Sequence, residues 1–465
     1  MSGVTSKAIE ATELERRALA LESERQFDGA REAFEAALRL DPSSKSIAEG
    51  RARIAIQTDE DGAASHCARA LAFHDADPEL QIQMIEVATA ALGQAAMPLL
   101  ESFLDRHPEN VTALELLAGL RSQAGEGDRF IDRYRSVLES SPDDKSVLMS
   151  FWNTLARALR YKEALDSMDR KRAHFDGDRD FALLEINIAN HAGLTDLSGA
   201  ALERLGDSPD VQLARGQHRL QTNRPDEASA LLEKLVGQEP DNISAWALLE
   251  VAWRLTEDSR HQWLACQKGL VGSLDLDLSN TQLTAIADML RKIHRSRAQP
   301  LGQSVRGGTQ TPGQLFIRSE PEIGLLTDAL AAAIRQFHNN LPPFDTNHPL
   351  LKYRSEGLAF GPSWSVRLTS GGFHAAHFHP GGVLSSACYI SLPEVVSGSA
   401  EQEGWLEIGR PPAEMKIDLP PLATFEPKPG RLVLFPSFLF HGTRPFSGGE
   451  RLTVAFDLVP VPMNG

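Results

Sequence analysis

From about residue 10 to residue 275, apolar residues recur at steps of three and four, the period of helices that bury one face. Turn signals cut this pattern into pieces at Asp41-Pro42, Asp77-Pro78, His107-Pro108, Ser141-Pro142, Asp176-Gly177, Ser208-Pro209 and Glu239-Pro240. From Pro42 through Asp176 to Pro240 the steps are 36, 30, 34, 34, 33 and 31 residues. One helical unit therefore recurs, about six or seven times. An alanine stands twelve residues ahead of four of these turns, at Ala30, Ala96, Ala164 and Ala228, as expected where two helices cross closely. RQFDGAREAFEAALRLDP and RPDEASALLEKLVGQEP are the clearest copies, and residues 50–90 and 180–210 are degenerate. A lone helix pair cannot bury its apolar face, so the copies are expected to stack into a solenoid with a concave side.

The period then changes. Residues 276–312 hold one more helix, LSNTQLTAIADMLRKIHRS, followed by AQPLGQSVRGGTQTPG, which reads as loop. EIGLLTDALAAAIRQFHNNL is an amphipathic helix, expected to pack across the outside of a sheet. Beyond it Trp364, Val366 and Leu368 alternate as a half-buried strand does, and Leu406 and Ile408 mark another strand. Leu432–Phe435 and Leu452–Phe456 read as two buried strands joined by a tight glycine-containing connection. The predicted fold is thus a multidomain α + β chain. Its parts are an α-solenoid over 1–275, a connecting helix and loop over 276–312, and a β domain over 313–465. Trp246, Trp253 and Trp263 fall on the last helices of the solenoid and are read as its seam with the β domain.

The candidate chemistry lies in Gly371–Leu392, GGFHAAHFHPGGVLSSACYISL, where His374, His377 and His379 crowd together. Neutral imidazole is the commonest side-chain metal ligand. Residues two apart on a strand share a face, so His377 and His379 can point into one cavity. His441 lies further on in an apolar segment, with Arg451 behind it. A small barrel or double-sheet jelly roll would bring all four residues to its mouth. His374, beside the glycine pair, is left out of the metal set. Asp457 either orients a histidine or ends a strand.

The helical half resembles the tetratricopeptide repeat, whose unit is 34 residues long. The last third resembles the 2-oxoglutarate/Fe(II)-dependent oxygenases, and among them a bacterial group, through Gly308–Thr311, Ser363–Pro380, Gly430–Phe446 and Arg451–Asp457 taken in order. The resemblance implies a double-stranded β-helix (jelly-roll) fold, Fe(II) as cofactor and 2-oxoglutarate as co-substrate. It places His377 and His379 at the proximal pair of ligands and His441 at the distal one. It gives Arg451 the far carboxylate of 2-oxoglutarate, with Tyr389 and Thr453 adding hydroxyl donors. A planar guanidinium grips a carboxylate through two bonds and keeps its charge. One departure stands out: the usual triad is two histidines and a carboxylate, and His379 occupies the carboxylate position. Glu403 and Glu407 are the nearest acidic residues in sequence that could supply the missing charge. Three histidines and a water also make a catalytic zinc site. The alternatives to a hydroxylase acting on a peptide or protein gathered by the repeats are therefore two. One is a three-histidine metal protein that does not use 2-oxoglutarate, and the other is a repeat adaptor with a silent barrel.

Composition narrows the partners. The 465 residues carry a formal charge of −16, which disfavours nucleic acid and anionic membranes. No uninterrupted apolar run approaches the ~20 residues of a membrane span, and MSGVTSKAIEATELERRALA does not read as a secretory signal. Cys67, Cys266 and Cys388 are far apart and odd in number, so a reducing cytoplasm is the expected setting.

Overall fold

The computed structural model describes residues 2–461 except 25, 59 and 313. The chain falls into two compact units, Met1–Ser150 and Phe151–Gly465. In the first, helices follow one another as antiparallel pairs, from Phe27–Leu40 and Lys45–Gln57 to Val111–Gln123 and Asp132–Ser140. The turn residues act as caps. The side chains of Ser44, Asp77 and Asn110 accept hydrogen bonds from the backbone N–H of Ile47, Leu80 and Ala113, satisfying donors that the first helical turn leaves free. Ala30, Ala96, Ala164 and Ala228 are all fully buried, as close helix crossing requires. The degenerate stretch 50–90 keeps its helices, Ala63–Leu71 and Pro78–Leu92.

Pro78–Arg106 is long and apolar enough to cross a membrane by length and composition, which no single apolar run in the sequence suggests. Half of that window is buried within the protein. A 3-10 turn begun by Gly93, at φ +56°, breaks it into the two helices of one repeat.

The second unit joins the later repeats to a two-sheet β domain. Its strands are β1 (Gly272–Asp275), β2 (Val305–Gln310), β3 (Gly357–His374), β4 (Leu384–Ser391), β5 (Leu406–Ile408), β6 (Ala423–Phe425), β7 (Arg431–Pro436), β8 (His441–Thr443) and β9 (Arg451–Val461). The major sheet has the order β1-β7-β4-β9-β3-β2 and the minor sheet β6-β5-β8, with all pairings antiparallel. This is the jelly-roll arrangement. The major sheet is buried on both faces. Leu432 and Leu434 pack outward, with Cys388, Val454 and Phe456, against the helices Asn280–Ile293 and Pro321–Asn340. Val433, Phe435 and Tyr389 face the other way and share a core with Trp246, Trp253 and Leu264 of the last repeats. Burial on both sides is why β7 reads as an unbroken apolar run rather than an alternating one.

Three expectations need correction. The stretch read as loop before residue 312 contains β2, an edge strand paired with β3 from Val305↔His374 to Gln310↔Val366. Its glycines hid it from propensity, yet they are what allow the approach: a Cβ on Gly308 would lie 2.4 Å from the carbonyl oxygen of Arg367. The buried strands β7 and β9 do not form a hairpin, because β4 lies between them and the connection gives a strand, β8, to the minor sheet. The expected boundary near residue 275 is not where the compact units part, because β1 pairs with β7 and the tryptophans belong to the shared core. The seam reading of those tryptophans holds. Trp263 donates to Asp345 Oδ2 at 2.7 Å and stands edge-on to His348.

A fragment beginning at residue 300 would lose β1, the helix Asn280–Ile293 and the tryptophan cluster. It should therefore be insoluble or melt without cooperativity, whereas a fragment from residue 143 onward should melt as one transition in circular dichroism.

Two buried histidines make the second unit sensitive to acid. His348 Nε2 donates to the Leu264 carbonyl at 3.0 Å, and its Nδ1 accepts from the N–H groups of Leu350 and Leu351. His294 bonds Thr309 Oγ1 and Ser365 Oγ. Burial pushes both down to about 4. The folded state holds them neutral while the unfolded chain protonates near 6.5, so stability is lost as pH falls from about 6.5 to about 4. The loss is on the order of 3 kcal/mol for each histidine. Urea unfolding at intervals across that range should show the decline, with a shallower slope in His294→Asn.

Candidate metal centre

After β3 ends at His374 the chain bends at Ala376 and crosses to β8. His377 N–H donates to the His441 carbonyl at 3.0 Å and His441 N–H donates back at 2.8 Å. His379 N–H donates to Ser437 O at 3.1 Å. Two glycines make this crossing possible. A Cβ on Gly442 would lie 2.9 Å from the His374 carbonyl oxygen, and one on Gly382 would lie 2.9 Å from Asp457 Cβ.

The crossing gathers the three predicted ligands. One nitrogen each from His377, His379 and His441 lies within 4.8 Å of the others. Each Nδ1 is already engaged: His377 with Ala375 O at 2.9 Å, His441 with Leu439 O at 3.1 Å, and His379 with Asp457 Oδ1 at 2.6 Å. Carbonyl and carboxylate oxygens only accept, so every Nδ1 carries the proton and every Nε2 presents a lone pair. The Nε2 atoms of His377 and His379 face each other at 3.0 Å. Two lone pairs at that distance repel unless a cation lies against both. Burial and the neighbouring imidazole push His377 down to about 3. Burial beside His377 and His379 likewise holds His441 well below its ordinary value. The donor set fits a metal ion.

His374 stays outside the group. Its Nδ1 pairs with Ser304 Oγ at 3.1 Å, and its ring lies nearly parallel to that of His377 at 6.2 Å. Neither glutamate considered from the sequence reaches the centre. Glu403 accepts from Ser447, and Glu407 is paired with Arg410 and Arg444. The carboxylate that does matter is Asp457, whose role the sequence left open. It is buried, it stands one hydrogen bond behind His379, and it also accepts from Ser385 Oγ at 2.7 Å.

Arg451 and Thr453 line the same cavity as the histidines. Arg451 is 2% exposed, with its guanidinium carbon 5.2 Å from the centre of the Tyr389 ring. Its Nε and Nη1 are buried without a hydrogen-bond partner among the described residues, and the Tyr389 hydroxyl, within reach of the guanidinium, makes no well-formed bond either. Tyr389 thus stands behind Arg451 rather than on the cavity wall. Thr453 Oγ1 makes only a 3.5 Å contact with the Val366 carbonyl. A buried guanidinium with no carboxylate is costly, and burial pushes its pKa down.

Residues 362–457 match the family described as "Putative 2OG-Fe(II) oxygenase". Residues 11–44 and 195–251 each match a tetratricopeptide repeat. No curated protein matches the chain. Similar solved structures include the viral collagen prolyl hydroxylase of Paramecium Bursaria Chlorella virus-1 in complex with 2-oxoglutarate, at 17% identity, covering 42% of this chain and 97% of that one, with a TM-score of 0.29. A tetratricopeptide repeat protein from Parabacteroides merdae is 15% identical, covering 52% and 98%, with a TM-score of 0.32. HygX from Streptomyces hygroscopicus, with nickel and 2-oxoglutarate bound, is 15% identical, covering 41% and 83%, with a TM-score of 0.27. The C-terminal domain is a 2-oxoglutarate/Fe(II) oxygenase domain. The chain as a whole joins that domain to tetratricopeptide repeats.

Replacing Asp457 tests the arrangement behind His379. Asp457→Asn keeps the shape and removes the charge, and should weaken metal binding by roughly 10- to 100-fold. His379→Ala should abolish binding and His379→Asp should retain it. Competition with a coloured chelator measures all three.

Proposed function

We propose that His377, His379 and His441 hold Fe(II), and that Arg451, backed by Tyr389 and with Thr453 beside it, takes the far carboxylate of 2-oxoglutarate. The observation that carries this reading is the pair of unmet demands at one cavity: facing imidazole lone pairs and a buried, unpaired guanidinium. When bound, Fe(II) and 2-oxoglutarate would, with dioxygen as the oxidant, supply oxidative decarboxylation coupled to hydroxylation, one oxygen atom entering succinate as carbon dioxide leaves and the other entering a C–H bond of the substrate. The chain's own residues set the stage. The engaged Nδ1 atoms fix the tautomer and direction of each imidazole. Asp457 supplies, through His379, the negative charge that the usual triad carries on a direct ligand. Arg451 anchors the co-substrate by charge-assisted bonds that strengthen out of water. The substrate is a peptide or protein recruited by the repeats, and three free thiols, two of them buried, accord with a cytoplasmic setting.

Three neutral imidazoles favour a second reading, a zinc-type centre that does not use 2-oxoglutarate. Anaerobic titration of the full-length apoprotein with Fe(II) and then 2-oxoglutarate separates the two. The oxygenase reading predicts the visible charge-transfer band of a chelated keto acid. Arg451→Ala should keep metal affinity and lose 2-oxoglutarate affinity by about tenfold or more, roughly 1.4 kcal/mol. Metal binding without a band in the parent protein would favour the second reading, and equal co-substrate affinity in the variant would remove Arg451 from the site.

A further inference from the structure

The cavity before the three histidines has about 960 Å³ of room and two walls. One is the mouth of the jelly roll. The other is built from the first helices of successive repeats, Lys145–Arg157, Arg179–His191, Pro209–Gln221 and Ile243–Leu255. Asn153, Asn187 and Gln217 line it, one from each of three repeats. None of the three amides has a hydrogen-bond partner among the described residues. They follow one another in the sequence at 34 and 30 residues. Leu213 and Leu248 supply apolar surface on the same wall.

The spacing suits one kind of ligand. Packed helices lie about 8–10 Å apart, and an extended polypeptide covers that distance in about three residues. A carboxamide both donates and accepts, which matches a peptide unit with its N–H and C=O. Three amides on three repeats span about 16–20 Å, so a compact small molecule would leave at least one of them unpaired. Leu159, on the cavity rim, adds an independent sign. It is 44% exposed and adopts φ +62°, a backbone conformation that disfavours leucine. An apolar side chain held there in water suits a contact made only when a ligand is present.

We propose, resting on the oxygenase reading above, that the substrate is a polypeptide bound in extended form along this wall. Asn153, Asn187 and Gln217 hold its main chain, Leu159 covers one of its side chains, and another side chain reaches the histidine centre. Recognition through the main chain tolerates many sequences, so specificity rests on the residue that enters the centre and on the one against Leu159.

A random dodecapeptide library displayed on phage, panned on the full-length protein loaded with Fe(II) and 2-oxoglutarate without oxygen, tests this. Selected peptides should bind the parent and lose about tenfold or more in affinity with the triple variant Asn153→Ala, Asn187→Ala, Gln217→Ala, as three lost hydrogen bonds imply. N-methylation of their central peptide nitrogens should weaken binding similarly. The keto-acid band should be the same in parent and variant, showing that the fold and the metal centre are intact. A library that yields no binder, or peptides that bind parent and variant alike, would overturn the proposal. An absent band in the parent would instead count against the oxygenase reading, while the peptide measurements would still report on the wall.

Discussion

The reciprocal backbone bridge between His377 and His441 is the constraint on which the site depends. It ties the end of β3, in the major sheet, to β8, in the minor one, and sets two imidazoles 4.2 Å apart between ring centroids. The same segment sends His379 towards Asp457 on β9. Three strands thus bring four side chains to one point, and each ligand's free nitrogen is chosen by what holds the other one. His379 lies between β3 and β4, and its N–H is fixed by the Ser437 carbonyl. The ligands sit on backbone that is paired on both sides of the site, the condition for holding a metal without large rearrangement.

The charges follow from the same geometry. A two-histidine, one-carboxylate centre delivers a negative charge directly to the metal. Here the negative charge stands one bond further out, on Asp457, with His379 between it and the cavity. Arg451 adds a buried positive charge that no carboxylate in the described chain pairs with. Arg451 and Asp457 cancel in net charge, so with Fe(II) held as proposed above the cavity would be short of two negative charges, which a dianionic keto acid would supply. This explains how a site lacking the usual carboxylate ligand can still be assembled for an anionic co-substrate.

The repeats of the second unit are part of the catalytic half, not an appendage to it. Trp246, Trp253 and Leu264 complete the core on which Val433 and Phe435 rest, and Trp263 is bonded to Asp345 across the seam. The cavity wall they support owes its position to that shared core. The repeat wall and the histidine cluster consequently rest on one packed body rather than on a tether.

The residues themselves determined a good deal. Helical periodicity, the turn spacing and the buried alanines specify a stack of helix pairs, because each helix must bury a stripe whatever follows it. The crowding of His377 and His379 marks the site, although the structure places both just past the end of β3 rather than on a strand, so their meeting comes from the crossing to β8 and Ser437 and not from strand alternation. Tertiary structure alone decided the rest. The glycine-rich segment around residue 307 became β2 because an edge strand needs only a partner's backbone, and local propensity cannot register that partner. β7 and β9 were parted by β4 because strand order is set by long-range pairing, which leaves no trace in spacing. Asp457, 78 residues from His379, became its partner only when β9 was laid beside β4. A carboxylate can orient a histidine from any distance along the chain, and only the fold says which one does.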